Sequence, residues 1–243
     1  VQALAWSEKM KHALAILTYA PNPTFNCRLE VTLRSLQESN YPGKIYIVDD
    51  GSPNRDFSYY RKQPNVQVVV KPYNVGVARG KNTSIRLVID DEVDVGFLLD
   101  DDMIFKQDWW DDYLDVHERS DKIHHLSWAN RGEWGGAFYP ERFDGVQLVR
   151  TEHLNGCMLT FTPTLIATIG GFWVTPLKWG WDHVNWTHRA REHGMMPFFA
   201  DVPDPQLFLG EMNNISTVTE SQKRECDKYH FDTFGPKFQP LIE

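Results

Sequence analysis

The sequence predicts an α/β fold with a mainly parallel central sheet flanked by helices. Two observations carry that expectation. Short apolar runs rich in β-forming residues alternate with segments of helical periodicity, which is the pattern of strand, crossover helix and parallel strand. Three of the polar groups in this half of the chain, Thr18-Tyr19, Asp49-Asp50 and Asp100-Asp101-Asp102, each follow directly on such an apolar run.

The first strand is read over 12–18 (HALAILT), too brief for a helix and followed by Pro21 and Pro23. A helix follows, with Asn26 as a cap and Leu29, Leu33 and Leu36 as its apolar stripe, ending before Asn40, Pro42 and Gly43. Strands are expected over 44–48 and 66–70. A helix over 76–89 presents Ala78, Ile85, Val88 and Ile89, and a fourth strand over 93–99 runs into Asp100-Asp101-Asp102. Further on, the pattern predicts a helix over 109–119 and a loop-rich or antiparallel stretch over 127–152. A strand over 158–161, a short helix over 163–169 and a helix over 182–192 complete the reading. The polar tail from Asn213 is expected to be mobile. The chain reads as one catalytic domain, 1–243, with a first half at about 12–102, a second at about 103–212 and a tail or lid at 213–243.

In open parallel sheets, ligands bind outside the carboxyl ends of the strands. The three polar groups above therefore belong on one edge. Three adjacent carboxylates repel one another, and a hard divalent ion relieves the repulsion while keeping positions open for phosphate oxygens. Asp49-Asp50-Gly51-Ser52 also reads as ordinary turn chemistry. Asn74 to Asn82 opens a helix beside Arg79 and Lys81, an environment suited to a diphosphate. Asp182 stands at a helix start, where a carboxylate is held ionised or serves simply as a cap.

Bulk properties narrow the partners. A chain of 243 residues with 42% hydrophobic content can bury a sizeable core, and its net charge of −8 gives no general attraction to nucleic acid or anionic lipid. Three widely spaced cysteines suggest neither a disulfide framework nor a zinc site, and a reducing compartment is the simpler expectation. No apolar run approaches the roughly 20 residues that span a bilayer, and the start lacks a signal pattern. The expected location is cytoplasmic, with a peripheral position at the inner membrane face as the alternative. The chain also reads as a module of a longer protein.

Ile47 to Ser52, Asn74-Val75-Gly76 with Arg79 and Asn82, Leu98 to Asp102, Ile169 to Phe172 and Trp179 to His183 come in the order and approximate spacing of family 2 inverting glycosyltransferases of the GT-A fold. The resemblance covers roughly residues 12 to 200. It implies a metal-dependent transfer of a sugar from a nucleotide-diphosphate donor, a UDP-sugar favoured, to a carbohydrate or other hydroxyl acceptor. Thr18, Tyr19 and Asp50 resemble the nucleoside pocket and Arg79 a donor contact. Asp100 and Asp102 resemble the outer positions of the DxD motif, with Asp102 as direct ligand of Mn²⁺ or Mg²⁺ and Asp100, with Asp101, nearer the donor. Asp182 resembles the catalytic base. Asn155 resembles a donor-sugar contact, and Trp179, Trp181 and His183 fall on the acceptor side; Trp128, Trp134 and Trp173 flank the same loops.

The sequence departs from the family at two places. It has Asp182-His183 where the family usually has Glu-Asp. Where many relatives carry a downstream metal-binding His, residues 207–214 (LFLGEMNN) contain none, which leaves Glu211, His230 or water for that position. Cys157 reads as a small buried residue and His124-His125 as non-functional. A catalytically inactive nucleotide-sugar or glycan-binding module and a sugar-phosphate nucleotidyltransferase are the alternative readings. The latter wants a basic Gly-rich loop after the first strand, and 19–25 (YAPNPTF) has none.

Overall fold

The protein is described by a computed structural model over residues 10–53, 55–129, 137–152, 155–209 and 219–234. Strand β1 (His12–Thr18) is central, and Ala13, Leu14, Ala15 and Ile16 are buried on both its faces, which is why the run is continuously apolar rather than alternating. It pairs in parallel with β2 (Lys44–Asp49) on one side and β4 (Val95–Asp100) on the other. Beyond β2 lies β3 (Val66–Val70), also parallel, and beyond β4 lies β8 (Met158–Phe161), antiparallel, giving the order β3-β2-β1-β4-β8. The register sets the carboxyl ends level: Thr18 pairs with Asp49, and Leu17 with Asp100.

Helix α1 (Asn26–Glu38) buries Leu29, Leu33 and Leu36 as its spacing predicts. Asn26 is its first residue rather than its cap. The chain enters through a 3₁₀ turn, Pro23–Phe25, capped by Asn22, whose Oδ1 accepts from the Thr24 amide at 3.0 Å. Pro23 makes this entry favourable, since its fixed φ suits a first helical position. Helix α2 (Val77–Ile89) starts after Gly76, and α3 (Asp111–Arg119) starts two residues later than expected, after the buried Trp109 and Trp110. There Trp109 packs on Phe105 and Phe97, with ring centroids at 4.6 and 5.1 Å.

The second half carries two small antiparallel sheets, β5 (Met103–Phe105) with β10 (Leu207–Leu209), and β6 (Phe138–Phe143) with β7 (Val146–Thr151) and β9 (Ala200–Asp201). Helix α4 (Pro163–Ile169) is capped by Thr162, and α5 (Asp182–Glu192) follows a glycine- and tryptophan-rich loop. Residues Glu220–Phe234 form a helix, α6, which buries Cys226 against the loop before α5. Its sequence lacks an apolar stripe, and Cys226 and Asp227 dock it through local contacts to that loop.

Candidate active site

The carboxyl ends of β1, β2 and β4 form one polar edge, as the topology requires. At its centre Thr18 Oγ1 donates to Asp101 Oδ2 at 2.5 Å and accepts from Arg55 Nη1 at 2.8 Å. Asp101 and Asp102 are 5% and 7% exposed, and Arg28 from α1 reaches both, with Nη2 3.1 Å from Asp101 Oδ1 and 2.7 Å from Asp102 Oδ2. Thr32, one helical turn on from Arg28, donates to the Asp101 carbonyl at 2.8 Å. On the other side, Lys81 from α2 sets its ammonium 3.4 Å from Asp100 Oδ1 and donates to the Gly156 carbonyl at 2.7 Å.

The three adjacent acids thus face different neighbours. Asp101 turns toward Thr18 and Arg28. Asp100 and Asp102 instead converge with Cys157 at the end of the segment leading into β8, and one ligand atom from each lies within 4.8 Å of the others. Burial and the Asp100 charge push the Asp102 carboxyl up to about 7, with Arg28 pulling the other way. Burial also opposes the charges on Arg28 and Lys81, but the surrounding carboxylates outweigh it and raise both. Asp102 Oδ1 is buried with no hydrogen-bond partner. An orphaned carboxylate oxygen next to a second carboxylate and a thiol is a donor set that fits a divalent cation, whose bonds of roughly 2.0–2.5 Å span ligand atoms up to about 4.5–5 Å apart.

Asp50 is 3% exposed, and its two oxygens accept from the amides of Val75 at 3.1 Å and Gly76 at 2.9 Å, with Lys71 Nζ at 4.0 Å. Burial raises its pKa despite those hydrogen bonds. Asp50 therefore fixes the entry to α2 as well as lying on the polar edge. Asp49 accepts from the Ser52 amide at 2.9 Å and from the Ser52 hydroxyl, which in turn accepts from the Ala20 amide at 2.8 Å. Tyr19 sits half-buried between these braces.

A second loop closes over the edge from 178 to 183. The Val77 amide donates to the Lys178 carbonyl at 2.8 Å, and a Cβ at Gly76 (φ 93°) would lie 2.7 Å from the Lys178 backbone. Trp181 takes a left-handed conformation (φ 57°) that turns the chain into α5 and buries Asp182, whose Oδ2 has no hydrogen-bond partner. The charges of Asp100 and, after it, Asp182 both raise the Lys81 ammonium, with Asp100 alone of the two in ion-pair contact. His183 packs its ring where a Gly156 side chain would be, 2.7 Å from that Cβ position. Asn155 Oδ1 accepts from the Cys157 amide at 2.8 Å and shapes the turn before β8.

Helix α6 lies against this loop. Trp181 Nε1 donates to Asp227 Oδ1 at 2.7 Å, and Cys226 Sγ to the Trp179 carbonyl at 2.5 Å. Trp179 itself is 40% exposed and Trp173 46%, whereas Trp128 is buried. His124 and His125 bond to Thr162 and to Thr160 and Thr187, and belong to the packing under β8. Trp134 and Glu211 lie outside the described residues, as does the side chain of His230, a residue of α6.

The edge thus brings together Thr18, Asp50, Asp100, Asp101 and Asp102, and the second loop adds Asp182 and His183. Arg79 is exposed, and the buried cation of α2 is Lys81. Lys81, Ser84, Ile85 and Val88 are all buried, so the lysine occupies the first position of the apolar stripe. That spacing was available in the sequence. Arg28 likewise stands four residues before the buried Thr32, the polar interruption that marks the face of α1 turned to the carboxylates.

Residues 23–175 match the family described as Glycosyl transferase family 2. An uncharacterized glycosyltransferase of Acanthamoeba polyphaga mimivirus is 26% identical over 228 residues, covering 91% of this chain and 88% of that protein. Among solved structures, mannosyltransferase PcManGT from Pyrobaculum calidifontis, in complex with GDP-Man and Mn²⁺, superposes with TM-score 0.56 at 18% identity, over 82% of this chain and 56% of that one. This chain thus spans little more than half of that enzyme's length. S. aureus TarS 1-349 in complex with UDP-GlcNAc superposes with TM-score 0.60 at 16% identity, over 92% and 73%.

Proposed function

This chain belongs to glycosyl transferase family 2, and from that membership we propose that it is an inverting, cation-dependent enzyme that moves a sugar from a nucleoside-diphosphate donor, a UDP-sugar first, to a hydroxyl of a carbohydrate or similar acceptor. The observation that carries the reading is the pair of orphaned buried carboxylate oxygens, Asp102 Oδ1 and Asp182 Oδ2, on two acids at the end of β4 and the start of α5. A structure that leaves two such oxygens without hydrogen-bond partners incurs a desolvation cost that a bound ligand offsets. The complexes of PcManGT with GDP-Man and Mn²⁺ and of TarS with UDP-GlcNAc support the donor class and the metal.

In this account Asp100 and Asp102 hold Mn²⁺ or Mg²⁺, while Arg28 and Lys81 keep the acids positioned and their repulsion balanced. When bound, the cation acts as a Lewis acid toward the charge that builds on the leaving diphosphate. Thr18, Tyr19, Asp50 and Arg79 bound the nucleoside side. Asp182 takes the proton of the acceptor hydroxyl as its oxygen bonds to the anomeric carbon. The bond from that carbon to the diphosphate oxygen breaks with its electron pair leaving on the nucleoside diphosphate. Asp182 stands at the first position of α5, beside the helix's free amides. Asn155 lies toward the donor sugar, and the exposed ring of Trp179, with Trp181 and His183 beside it, offers a face for stacking an acceptor sugar.

The test is turnover of a nucleotide-sugar panel with Mn²⁺, comparing the native chain with Asp182→Asn. Asn has nearly the same shape and cannot take the proton, so turnover should fall by about 10²–10⁴-fold with donor binding kept. Unchanged turnover removes Asp182 from the chemistry.

A further inference from the structure

We propose that Cys157 is a direct ligand of the divalent cation, its Sγ completing with Asp100 and Asp102 a mixed oxygen and sulfur site. Three observations meet here. The ligand atoms of the three residues lie within 4.8 Å of one another. Burial, and after it the charges of Asp100 and Asp102, raise the Cys157 thiol, in keeping with a sulfur that lies beside both carboxylates. Asp102 Oδ1, on a residue more than nine-tenths buried, is the one oxygen of that carboxylate without a partner. The turn also fixes the sulfur: Asn155 Oδ1 holds the Cys157 amide at 2.8 Å, and the Cys157 carbonyl accepts from the Asp100 amide at 2.8 Å, locking the cysteine to the end of β4.

The inference rests on the reading of Asp100 and Asp102 as cation ligands and adds a consequence that reading lacks. A thiolate is a soft ligand that favours Zn²⁺, Cd²⁺ and Co²⁺, and a site built of carboxylates alone favours Mg²⁺ and Mn²⁺. As the metal–sulfur bond forms, the Sγ proton leaves to solvent. The site should therefore bind Cd²⁺ more tightly than Mg²⁺ and lose that preference when the sulfur is replaced by oxygen.

Co²⁺ alone, titrated into the full chain, supplies a readout independent of turnover. A sulfur-to-Co²⁺ charge-transfer band in the near ultraviolet is expected in the native protein and is expected to vanish in Cys157→Ser, with Cd²⁺ affinity falling about tenfold or more and Mg²⁺ affinity nearly unchanged. A double variant, Cys27→Ser with Cys226→Ser, keeps the test open even when Cys157→Ser folds poorly, because the band must survive in it. Co²⁺ binding that Asp102→Asn abolishes but that shows no sulfur band overturns the role of Cys157 and leaves the carboxylate site standing. A band that persists in Cys157→Ser, or disappears in the double variant, assigns the sulfur elsewhere and overturns it too. Failure of Co²⁺, Mn²⁺ and Cd²⁺ to bind at all overturns both the cation site and this extension of it.

Discussion

Lys81, 2% exposed, sets its ammonium 3.4 Å from Asp100 Oδ1 while feeling the charge of Asp182 as well. A buried cation so placed ties α2 to the end of β4, while the Asp182 charge reaches it from beyond ion-pair distance. It also donates to the Gly156 carbonyl, so one side chain ties three segments together.

Lys81→Met should therefore destabilise the ligand-free protein by about 1–3 kcal/mol, since it leaves the Gly156 carbonyl and the carboxylates without their buried partner. Urea unfolding measures this. Added Mn²⁺ should recover part of the loss in the variant by supplying positive charge at Asp100.

His117 and His125 give a pH dependence of stability. Burial pushes both imidazoles down to about 4 from 6.5, and each ring is committed to Thr160 and its neighbours: His117 to the Ile123 carbonyl and Thr160 Oγ1, His125 to the Thr160 carbonyl and Thr187 Oγ1. Below pH 6.5 the unfolded chain takes up two protons that the folded chain refuses until about pH 4. The contribution of these two histidines should be full above pH 6.5 and fall across that window, opposed in part by Asp102, whose raised carboxyl takes up a proton in the folded chain first. His125→Gln should flatten the slope in urea titrations between pH 7 and pH 5.

Gly76→Ala should cost about 1–3 kcal/mol, because the position has φ 93° and the new methyl meets the Lys178 backbone. Turnover should fall further than the stability loss explains, since the displaced loop carries Asp182. Steady-state rates on protein shown folded by circular dichroism separate the two effects.

The bond from Trp181 Nε1 to Asp227 predicts a local effect with a small global one. Asp227→Ala should change unfolding free energy by less than about 1.5 kcal/mol, because the bond is exposed. Hydrogen exchange should nevertheless quicken in 219–234 and 178–182 together. Quickening in only one of these segments would show that α6 and the loop are not coupled at this bond.

The parallel half was legible because apolar runs and helical stripes there obey one period each. Residues 12–18, 66–70, 158–161, 163–169 and 182–192 form the elements that their patterns predict, to the residue. Helix α6 was not legible, since Glu220 to Phe234 shows no apolar stripe and docks through Cys226 and Asp227. The polar edge followed from strand ends alone. The counter-ions did not, because Arg28 and Lys81 lie far in sequence from the acids they meet, and an exposed Arg79 carries the same charge two residues before the buried Lys81. The role of the Asp50 oxygens in bonding the Val75 and Gly76 amides is likewise a property of the folded turn.

Calorimetric titration of UDP and GDP into the native chain and into Asp102→Asn, each with Mn²⁺ and with a chelator, bears most directly on how an acidic protein holds an acidic donor. At least one nucleotide should bind the native chain when Mn²⁺ is present, weaken by about tenfold or more under chelator, and show the same weakness in Asp102→Asn whether or not metal is added. Equal affinity in all four conditions would mean that the strand-end carboxylates and their cation have no part in gripping the diphosphate.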